Sequence, residues 1–423
     1  MKMSVKMTVT ELTDAPEPTN GNRSAKRRPS FLISVLVGAM IVSIFEFIGM
    51  TPLGERYANM GYDALIKVEK IWYSNKSNPL SESPVYFIDI THNDYTRWNK
   101  DRPTPLTRRD KLANIVQAAV DKHAAVIVLD ILFEEHDADD QQLIAMMQRN
   151  KSKTHIILPV RIGHNGDIKN NIFANEASSA KGAIFQRGLS MAEASGSDGL
   201  VRYWISKKYI IEGDNKKNII WSIPVLALSL QDCDSLPLTP ENSPAEGDSY
   251  IHTQRIRYKL IPGTSSTLHI NSTAGDIEAN KSNFLPDLKG KIVIIGNSSP
   301  DMGDIHRTPV GSLPGMYIIG NAINTLSRGL QPKESGRWLT IHIELFVILL
   351  AAYMFHLLSP FLAQSVSAII LFMLLFPLSC LLFIMYGTYY NFALPILGMG
   401  LHRQFENIWD LVVNREWNSH KNH

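Results

Sequence analysis

Cysteine and charge are both scarce in this sequence. Two cysteines, Cys233 and Cys380, occur in 423 residues, and Cys380 lies inside an apolar run. A disulfide framework, a thiolate zinc cluster and a CxxC redox centre are therefore excluded. Charged residues make up 19% of the chain, below the roughly 25% of soluble domains, and they are missing from a few long stretches. This pattern indicates a membrane protein.

A strong net charge and the familiar catalytic motifs are also missing. The 42 Lys+Arg residues nearly balance the 40 Asp+Glu residues, which excludes a strongly basic nucleic-acid binder and an acidic disordered tail. The chain has no GxxxxGK[ST], HExxH, GxSxG or GxGxxG motif. We therefore predict no enzymatic activity and no nucleic-acid partner, and the sequence points to no particular cofactor. An enzyme with an unfamiliar site is the alternative.

The first long apolar run covers Phe31–Leu53 and carries a single charge, Glu46. At about 1.5 Å per residue it is long enough to cross a hydrocarbon core of roughly 30 Å. A cleaved signal peptide is the other interpretation. The polar leader of residues 1–30, the late position of Glu46 and the lack of a small-x-small cleavage site favour an uncleaved anchor. The leader has no periodicity and is predicted to be disordered.

Three further spans are predicted near the other end of the chain. Trp338–Leu358 and Phe361–Tyr386 are strongly apolar, and only a tight turn separates them. The last candidate, Tyr389–Val413, is apolar as far as Leu401 and polar beyond it. We predict that this segment also spans the bilayer and that its polar end emerges on the cytoplasmic side.

Basic residues set the predicted orientation. Four of them directly precede the first span: Arg23, Lys26, Arg27 and Arg28. The positive-inside rule then makes the N-terminus cytoplasmic. Four crossings return the tail of residues 414–423 to the same side, so residues 54–337 form one exported domain. The predicted location is the bacterial inner membrane, with this domain periplasmic or extracellular.

The exported domain begins with an alternation of strand and helix patterns. Val85–Ile90 (VYFIDI) and Ala124–Leu132 (AAVIVLDIL) are typical of buried strands. Between them, the capping-box spacing of Thr107 and Asp110 predicts a helix start at Thr107. The apolar face of that helix comprises Leu112, Ile115, Val116, Ala119 and Val120. A strand–helix–strand unit implies a parallel sheet that is covered on both faces.

The rest of the domain shows further strand and helix patterns. Strands are predicted at His155–Val160, Gly182–Phe185, Ile256–Ile261 and Lys291–Gly296. Helices are predicted at Arg56–Trp72, with an apolar stripe of Met60, Ala64, Val68 and Trp72, and at Tyr317–Leu326. Some strands lack a crossover helix, and Asp232–Tyr250 has the composition of an inserted loop. The predicted fold class is α/β: a mixed, mostly parallel sheet with helices on both faces, plus a four-helix transmembrane region of one N-terminal and three C-terminal spans.

Polar residues follow the predicted strands, where open α/β sheets bind ligands. The candidate ligand-binding residues are Asp89, Asp130, Asn297, Asp304, His306 and Arg307. Carboxylates, an imidazole and a guanidinium that converge there could hold a metal ion or a small anion. In the purely structural interpretation, Asp89 and Asp130 cap turn amides, and Asp304 pairs with Arg307.

A denser acidic run, Glu134–Asp140, follows the second strand. It has enough carboxylates for a calcium site but lacks the DxDxDG order. We therefore favour the other interpretation, in which Asp137 is the N-cap of a helix over Ala138–Gln148. Whether the protein binds any metal is left open by the sequence.

Two predicted spans carry an acidic residue. Glu46 and Glu344 lie at similar depths, about 10 Å below the outer surface by helix geometry. Intramembrane carboxylates usually face a partner or a wet cavity, so the two could share a proton or meet His342 and couple pH to helix packing. In the alternative, each side chain extends separately to the interface.

Several segments in combination resemble a known family. They are FIDI, PLTR (Pro105–Arg108), VIVLDILF (Val126–Phe133), DADD (Asp137–Asp140), SDGLVR (Ser197–Arg202) and LKGKIVIIGNSSPDMGDIHRTPVGSLPG (Leu288–Gly315) with its AIN helix (Ala322–Asn324). Over about residues 55–330 the chain resembles a CHASE domain of the second type, an extracellular sensory module associated with cyclases and histidine kinases. It departs from the family pattern at Thr104, where a tryptophan is frequent, and in the length of Asp232–Tyr250. The resemblance carries over no ligand-binding residues.

The resemblance implies a membrane-anchored sensor of a small ligand or a protein. Family members usually continue into an effector domain, whereas this chain has about ten residues after Val413. We therefore expect the partners to be the lipid bilayer and a separate effector protein, and a homodimer is left open. The alternatives are a structural subunit of an envelope complex and an anchored periplasmic hydrolase.

Overall fold

The computed structural model describes most of the chain between residues 31 and 411. The described residues are 31–49, 51–74, 83–100, 107–133, 135–162, 168–169, 173, 184–190, 192–194, 198–212, 216–231, 253–262, 271–280, 284–299, 304–329, 331–390, 392, 401, 403–405, 407–408 and 411. The predicted tails, residues 1–30 and 414–423, and the predicted insertion Asp232–Tyr250 lie outside them.

Helices and strands alternate through the described residues. The helices are α1 (Phe31–Gly49), α2 (Pro52–Ser74), α3 (His92–Trp98), α4 (Arg109–Asp121), α5 (Asp140–Asn150), α6 (Ile223–Gln231), α7 (Ala274–Asn280), α8 (Gly315–Ser327), α9 (Arg337–Leu357) and α10 (Pro360–Tyr386). The strands are β1 (Val85–Ile90), β2 (Val126–Asp130), β3 (His155–Ile162), β4 (Ile168–Lys169), β5 (Gln186–Leu189), β6 (Ala192–Ala194), β7 (Val201–Ile205), β8 (Lys207–Glu212), β9 (Lys216–Trp221), β10 (Thr253–Arg255), β11 (Asn271–Thr273), β12 (Ile292–Asn297), β13 (Ile305–Thr308), β14 (Gly311–Pro314), β15 (Lys333–Glu334) and β16 (Thr388–Tyr389).

The centre of the domain is a mostly parallel sheet. Its strands run in the order β11–β1–β12–β2–β3–β4, and β5 also pairs with β3. The β3–β4 pair is antiparallel, whereas β11, β1, β12, β2, β3 and β5 pair in parallel. Every residue of β1 and β12 is buried, so helices cover both faces: α6 and α8 on one, α4 and α5 on the other. The predicted α/β class with a mixed, mostly parallel sheet is confirmed.

Helix α8 lies unusually close to the sheet. A Cβ atom added to Gly320 would overlap with the ring of Phe87, and one added to Gly296 would lie 2.9 Å from the Cβ atom of Met316. The Phe87 ring also stacks on Tyr317, with 4.5 Å between the ring centroids. Glycine on both the helix and the sheet therefore brings the start of α8 directly over the ends of β12 and β2.

Three described helices, rather than the four predicted, are long and apolar enough to cross a membrane. They cover Phe31–Gly49, Trp338–Leu357 and Phe361–Tyr386. Helix α9 packs against both α1 and α10. A Cβ atom added to Gly38 of α1 would lie 2.9 Å from Cγ2 of Ile348 in α9, the close approach that small residues permit in membranes. The predicted span Tyr389–Val413 falls largely outside the described residues and stays a prediction.

Helix α2 faces the domain with a different side from the one predicted. Met60 and Trp72 of the predicted apolar stripe are exposed, whereas Tyr62, Leu65 and Ile66 are buried. The buried side belongs to a second apolar core that joins α2 to the loop after β10 and to the end of α10. The predicted helix is present within α2, but its apolar stripe does not mark the buried side, because these distant partners determine which side is buried.

The segment Ile256–Ile261 is extended but is not the strand that its sequence predicts. Three of its backbone amides bond to side chains of α8, and the amide of Ile256 donates to the carbonyl of Arg202 in β7 at 2.8 Å. Asn321 Oδ1 accepts from the amides of Lys259 and Leu260, both at 2.7 Å, and Thr325 Oγ1 accepts from the amide of Arg257 at 3.0 Å. The segment is thus fastened to α8 by polar side chains.

The predicted capping box at Thr107 is also absent from the described residues around the start of α4. The N-cap of α4 is Arg108, without a side-chain cap bond. The reason is that Asp110 is engaged by the Arg108 guanidinium, at 2.8 Å from Nε. The predicted apolar face of α4 is buried as expected.

Candidate ligand site at the carboxyl edge of the sheet

A cavity of about 280 Å³ lies at the carboxyl edge of the sheet, between the end of β2, the start of α8 and the β13–β14 hairpin. Its polar lining residues are Asp130, Arg161, Ser190, Trp204, Asp304 and His306. Its apolar wall is formed by Leu189, Pro224, Ile318, Ile319 and Ala322. The cavity therefore lies where open α/β sheets bind ligands.

Asp130 is the last residue of β2. Its carboxyl group lines the cavity and has a strongly raised pKa. Its Oδ2 atom is buried and has no hydrogen-bond partner in the described part of the chain. Burial raises its pKa to about 7, with a further rise from the Asp304 carboxylate, while the charges of His306 and Arg161 act in the opposite direction. A carboxyl group with such a pKa changes its charge readily when a charged ligand arrives.

Asp304 and His306 form a pair on the hairpin side of the cavity. His306 Nε2 lies 3.0 Å from Asp304 Oδ1, and this bond raises the pKa of His306 against the opposing effect of burial. The backbone carbonyl of Asp304 accepts from the Gly315 amide at 3.1 Å. A Cβ atom at Gly315 would overlap with Asp304 Oδ2, so the glycine lets the hairpin close onto the start of α8.

The polar lining residues Arg161, Ser190 and Trp204 were not predicted from the sequence. Trp204 is 2% exposed, and its indole Nε1 has no hydrogen-bond partner among the described residues. Arg161, at the end of β3, is close enough to lower the pKa of Asp130. Arg161 could have been found from the rule that named Asp130, because β3 runs parallel to β2 and its carboxyl end meets the same edge. Trp204 comes from a separate small sheet, and no local pattern marks it.

Asp89 and Asn297 lie in a different place from the cavity. Asp89 accepts from the backbone amide of Ser298 at 3.1 Å and from its hydroxyl at 2.7 Å. Asn297 Oδ1 accepts from the Ser299 amide at 2.7 Å. Burial raises the pKa of Asp89, and the Ser298 bonds oppose that rise. Both residues therefore hold the turn after β12, as the structural interpretation proposed for Asp89.

The separation between the two clusters follows from the strand register. Asp89 pairs with Gly296, and Gly296 pairs with Asp130, so the two carboxylates start from Cα atoms about 10 Å apart on the same face. Met316 of α8 fills the space above Gly296. The two aspartates thus belong to one row across the sheet but not to one site.

Arg307 does not line the cavity. Side chains alternate along β13, so Arg307 points away from the side that His306 occupies, and it is exposed. The predicted pairing of Asp304 with Arg307 is replaced by the pair of Asp304 with His306. Of the six predicted ligand-binding residues, Asp130, Asp304 and His306 meet at the cavity.

The acidic run after β2 is part of the framework. Asp140 binds the buried guanidinium of Arg109 at 3.2 Å and accepts from the Asp137 amide at 3.0 Å. Helix α5 begins at Asp140, and Asp137 accepts from the Asp139 amide instead of capping the predicted helix. The described residues contain no group of three or more His, Cys, Asp or Glu side chains placed to hold a metal ion.

The predicted intramembrane group is described in part. His342 Nδ1 lies 2.7 Å from the backbone carbonyl of Trp338 in its own helix. Glu344 is half-buried on α9, which packs against α1. The side chain of Glu46 lies outside the described part, so its coupling to Glu344 stays a prediction.

A buried arginine joins the domain to helices α2 and α10. The Arg257 Nε atom donates to both carboxylate oxygens of Glu69 on α2 at 2.8 Å. Its Nη2 atom donates to the carbonyls of Phe383 and Ile384, in the last turn of α10, at 2.9 and 3.1 Å. Arg257 and Glu69 are each 1% exposed. One residue of the loop that α8 holds thus contacts both α2 and α10.

A second arginine two residues earlier reinforces this junction. The Arg255 guanidinium lies over the rings of Tyr62, Tyr203 and Tyr389, at 4.6, 4.9 and 5.4 Å from their centroids. Cation–π contacts of this kind are strongest where water is excluded. Tyr62 belongs to α2 and Tyr389 to β16, so Arg255 also joins an early and a late segment of the described chain.

The structure thus combines a mostly parallel α/β domain that carries a polar cavity with three helices long and apolar enough to cross a membrane. The chain belongs to the CHASE2 family: the family model described as "CHASE2 domain" matches residues 36–358, most of the chain. CHASE2 is a family of extracellular sensory domains. Comparison with curated proteins and with solved structures found no match.

The segments that carry the resemblance now have physical roles. In SDGLVR, Arg202 pairs with Asp198 at 2.6 Å and with Asp63 of α2 at 2.7 Å, and the bond to Arg202 lowers the pKa of Asp198. In DADD, Asp140 binds Arg109. These segments hold elements together, while the GDIH part of the last segment supplies Asp304 and His306 to the cavity.

Proposed function

We propose that the protein is a membrane-anchored extracytoplasmic sensor. A small ligand or a protein group that enters the cavity changes the position of α8, and the change passes through the Arg257 loop to α2 and α10. The membrane helices then act on a separate effector protein. In this proposal the anchoring membrane is the bacterial inner membrane, and both termini are cytoplasmic.

The observation that carries this proposal is the double role of α8. Ile318 and Ala322 of this helix line the cavity, while Asn321 and Thr325 hold the loop that contains Arg257. A shift of α8 cannot leave that loop unaffected without breaking buried hydrogen bonds. Coupling of this kind needs a shared element that both sites bias, and α8 is in contact with both.

Hydrogen exchange on the full chain in lipid nanodiscs tests the transmission. Asp130→Asn changes the cavity without touching the junction, and we expect altered backbone exchange at residues 383–390. The matched control is Asp287→Asn, the same chemical change at an exposed site, which should leave that segment unchanged. Identical exchange at 383–390 in Asp130→Asn and the wild type would contradict a sensor that works through α8 and would favour a fixed structural subunit.

A protease-protection experiment tests the orientation. An epitope tag at Ser243 should be cut by protease added to intact spheroplasts, and a tag at His423 should be protected. The reverse pattern would place the domain on the cytoplasmic side and remove the extracytoplasmic part of the proposal.

A further inference from the structure

The cavity is lined by groups of opposite charge, and these groups bear on the ligand that it takes. This inference rests on the proposed function because it concerns the same cavity. Asp304 and His306 are paired with each other, with 3.0 Å between Oδ1 and Nε2. That leaves the Asp130 carboxyl and the Arg161 guanidinium as the groups of opposite charge facing the cavity. The buried Oδ2 atom of Asp130 has no donor within the described part of the chain, so a ligand that donates hydrogen bonds there would satisfy it.

The Trp204 indole supplies the complementary requirement. Its N–H group can only donate, it belongs to a side chain that is 2% exposed, and it lacks an acceptor among the described residues. A buried donor of this kind is costly unless a partner is supplied. A ligand that satisfies the cavity therefore needs an acceptor for Trp204 as well as a donor for Asp130.

The size and the walls of the cavity limit the rest of the ligand. A volume of about 280 Å³ corresponds to roughly nine water molecules at about 30 Å³ each. It lies at the lower end of the range for small-molecule pockets. Leu189, Pro224 and Ile318 form part of an apolar wall that would pack against a short aliphatic group.

We propose that the cavity binds a small zwitterion with an apolar body, of the class of the free aliphatic amino acids. The ligand ammonium group bonds to the Asp130 carboxylate. The ligand carboxylate accepts from the Trp204 indole and faces the Arg161 guanidinium, and the aliphatic side chain packs on the wall of α8 and Leu189. A metal ion fits the site less well, because no metal-ligating group of three or more side chains occurs in the described part.

Titration calorimetry on the full chain in nanodiscs tests this assignment with three probes that share a 3-methylbutyl unit. L-leucine carries both charged groups, isoamylamine carries only the ammonium group, and 4-methylpentanoate carries only the carboxylate. We expect L-leucine to bind at least about tenfold more tightly than either single-charge probe, since each probe lacks one charge-assisted bond.

Three variants assign the two ends of the ligand. Asp130→Asn should weaken L-leucine and isoamylamine by about tenfold or more and leave 4-methylpentanoate unaffected. Trp204→Phe should weaken L-leucine and 4-methylpentanoate but not isoamylamine. Arg161→Gln should act like Trp204→Phe, and because Arg161 is exposed this variant keeps the test valid if Trp204→Phe does not fold.

The outcomes separate this inference from the proposed function. Binding of isoamylamine alone, or no binding of any probe at concentrations up to about 10 mM, would overturn the zwitterion class. With either result, the proposed sensor function would still be supported if Asp130→Asn alters backbone hydrogen exchange at residues 383–390. Binding of L-leucine with no change in exchange at 383–390 would support the zwitterion site and contradict transmission through α8.

Discussion

Arg257 and Glu69 form a fully buried ion pair between the loop after β10 and helix α2. The guanidinium Nη2 atom lies 2.5 Å from Glu69 Oε1, and the same nitrogen donates to two carbonyls at the end of α10. Lys259 lies 3.4 Å from the same carboxylate, and burial lowers its pKa to about 8. The junction therefore depends on charges that are out of contact with water.

Loss of one partner of this pair should be strongly destabilising. Arg257→Met leaves the Glu69 carboxylate buried with Lys259 as its remaining cation, and we expect a loss of about 3–5 kcal/mol in the free energy of unfolding. Urea unfolding in detergent micelles measures it. The control is Arg97→Met, which removes a surface pair with Glu278 at 2.8 Å and should cost less than about 1 kcal/mol. Equal losses in the two variants would contradict the assigned role of Arg257.

The raised pKa of Asp130 predicts a stability that falls as the pH rises. An unfolded aspartate has a pKa of about 3.9, whereas Asp130 in the folded protein has a pKa of about 7. Between these values the folded state holds a proton that the unfolded state has lost. Its contribution is most favourable below pH 4 and declines by up to about 1.4 kcal/mol per pH unit.

Thermal unfolding between pH 4 and 6 compares the wild type with Asp130→Asn. The His306 imidazole is mostly protonated in the unfolded state over this window, because the ordinary pKa of histidine is about 6.5, and Asp304 raises the pKa of His306 in the folded state. We expect the variant to lose the downward slope that Asp130 contributes. Parallel curves for the two proteins would show that the Asp130 carboxyl group ionises normally.

Asn321 should be the most sensitive polar residue of α8. Its Oδ1 atom accepts from two backbone amides, and its Nδ2 atom donates to the carbonyls of Leu260 and Tyr317. Asn321→Ala leaves these buried groups without partners, and we expect a loss of about 2–4 kcal/mol. Hydrogen exchange should also become faster at residues 257–260. Ser327→Ala, at the end of the same helix, is the control, and comparable effects in both variants would contradict the prediction.

The predicted coupling of Glu46 and Glu344 can be measured without knowing the ligand. A double-mutant cycle of Glu46→Gln and Glu344→Gln in micelles should give an interaction energy of at least about 0.5 kcal/mol. The same cycle with Glu334→Gln, outside the spans, should be additive. Additivity of Glu46 and Glu344 as well would mean that each side chain reaches the interface separately.

The parts of the fold with strong local patterns were predictable. The strands at Val85–Ile90 and Lys291–Gly296 and the apolar face of α4 follow from runs and periodicity in their own segments. The segment Ile256–Ile261 has an equally clear strand pattern, but Asn321 and Thr325 take its amides. The sequence of the segment itself does not indicate that its hydrogen-bond acceptors lie more than sixty residues away. The strand prediction was therefore wrong.

The candidate site was predictable to the extent that it follows a general rule. Asp130 was found because ligands collect at the carboxyl ends of parallel strands, and Asp304 and His306 because their loop follows the last strand. Trp204 was missed because its strand belongs to another sheet. Asp89 was assigned to the wrong cluster. Gly296 and Met316 lie between Asp89 and Asp130, and this arrangement follows from the strand register, which the sequence does not show.

The paired short strands β15 and β16 connect the start of α9 to the end of α10. Lys333 and Ser335 donate backbone hydrogen bonds to Gly387 and Tyr389 at 3.0 and 2.8 Å, and these residues stand directly before α9 and directly after α10. Helices α9 and α10 are therefore held together by the β15–β16 hydrogen bonds at one end and by the turn between them at the other end. Helices that are joined at both ends are hindered from sliding past each other, so a force on one helix also acts on the other.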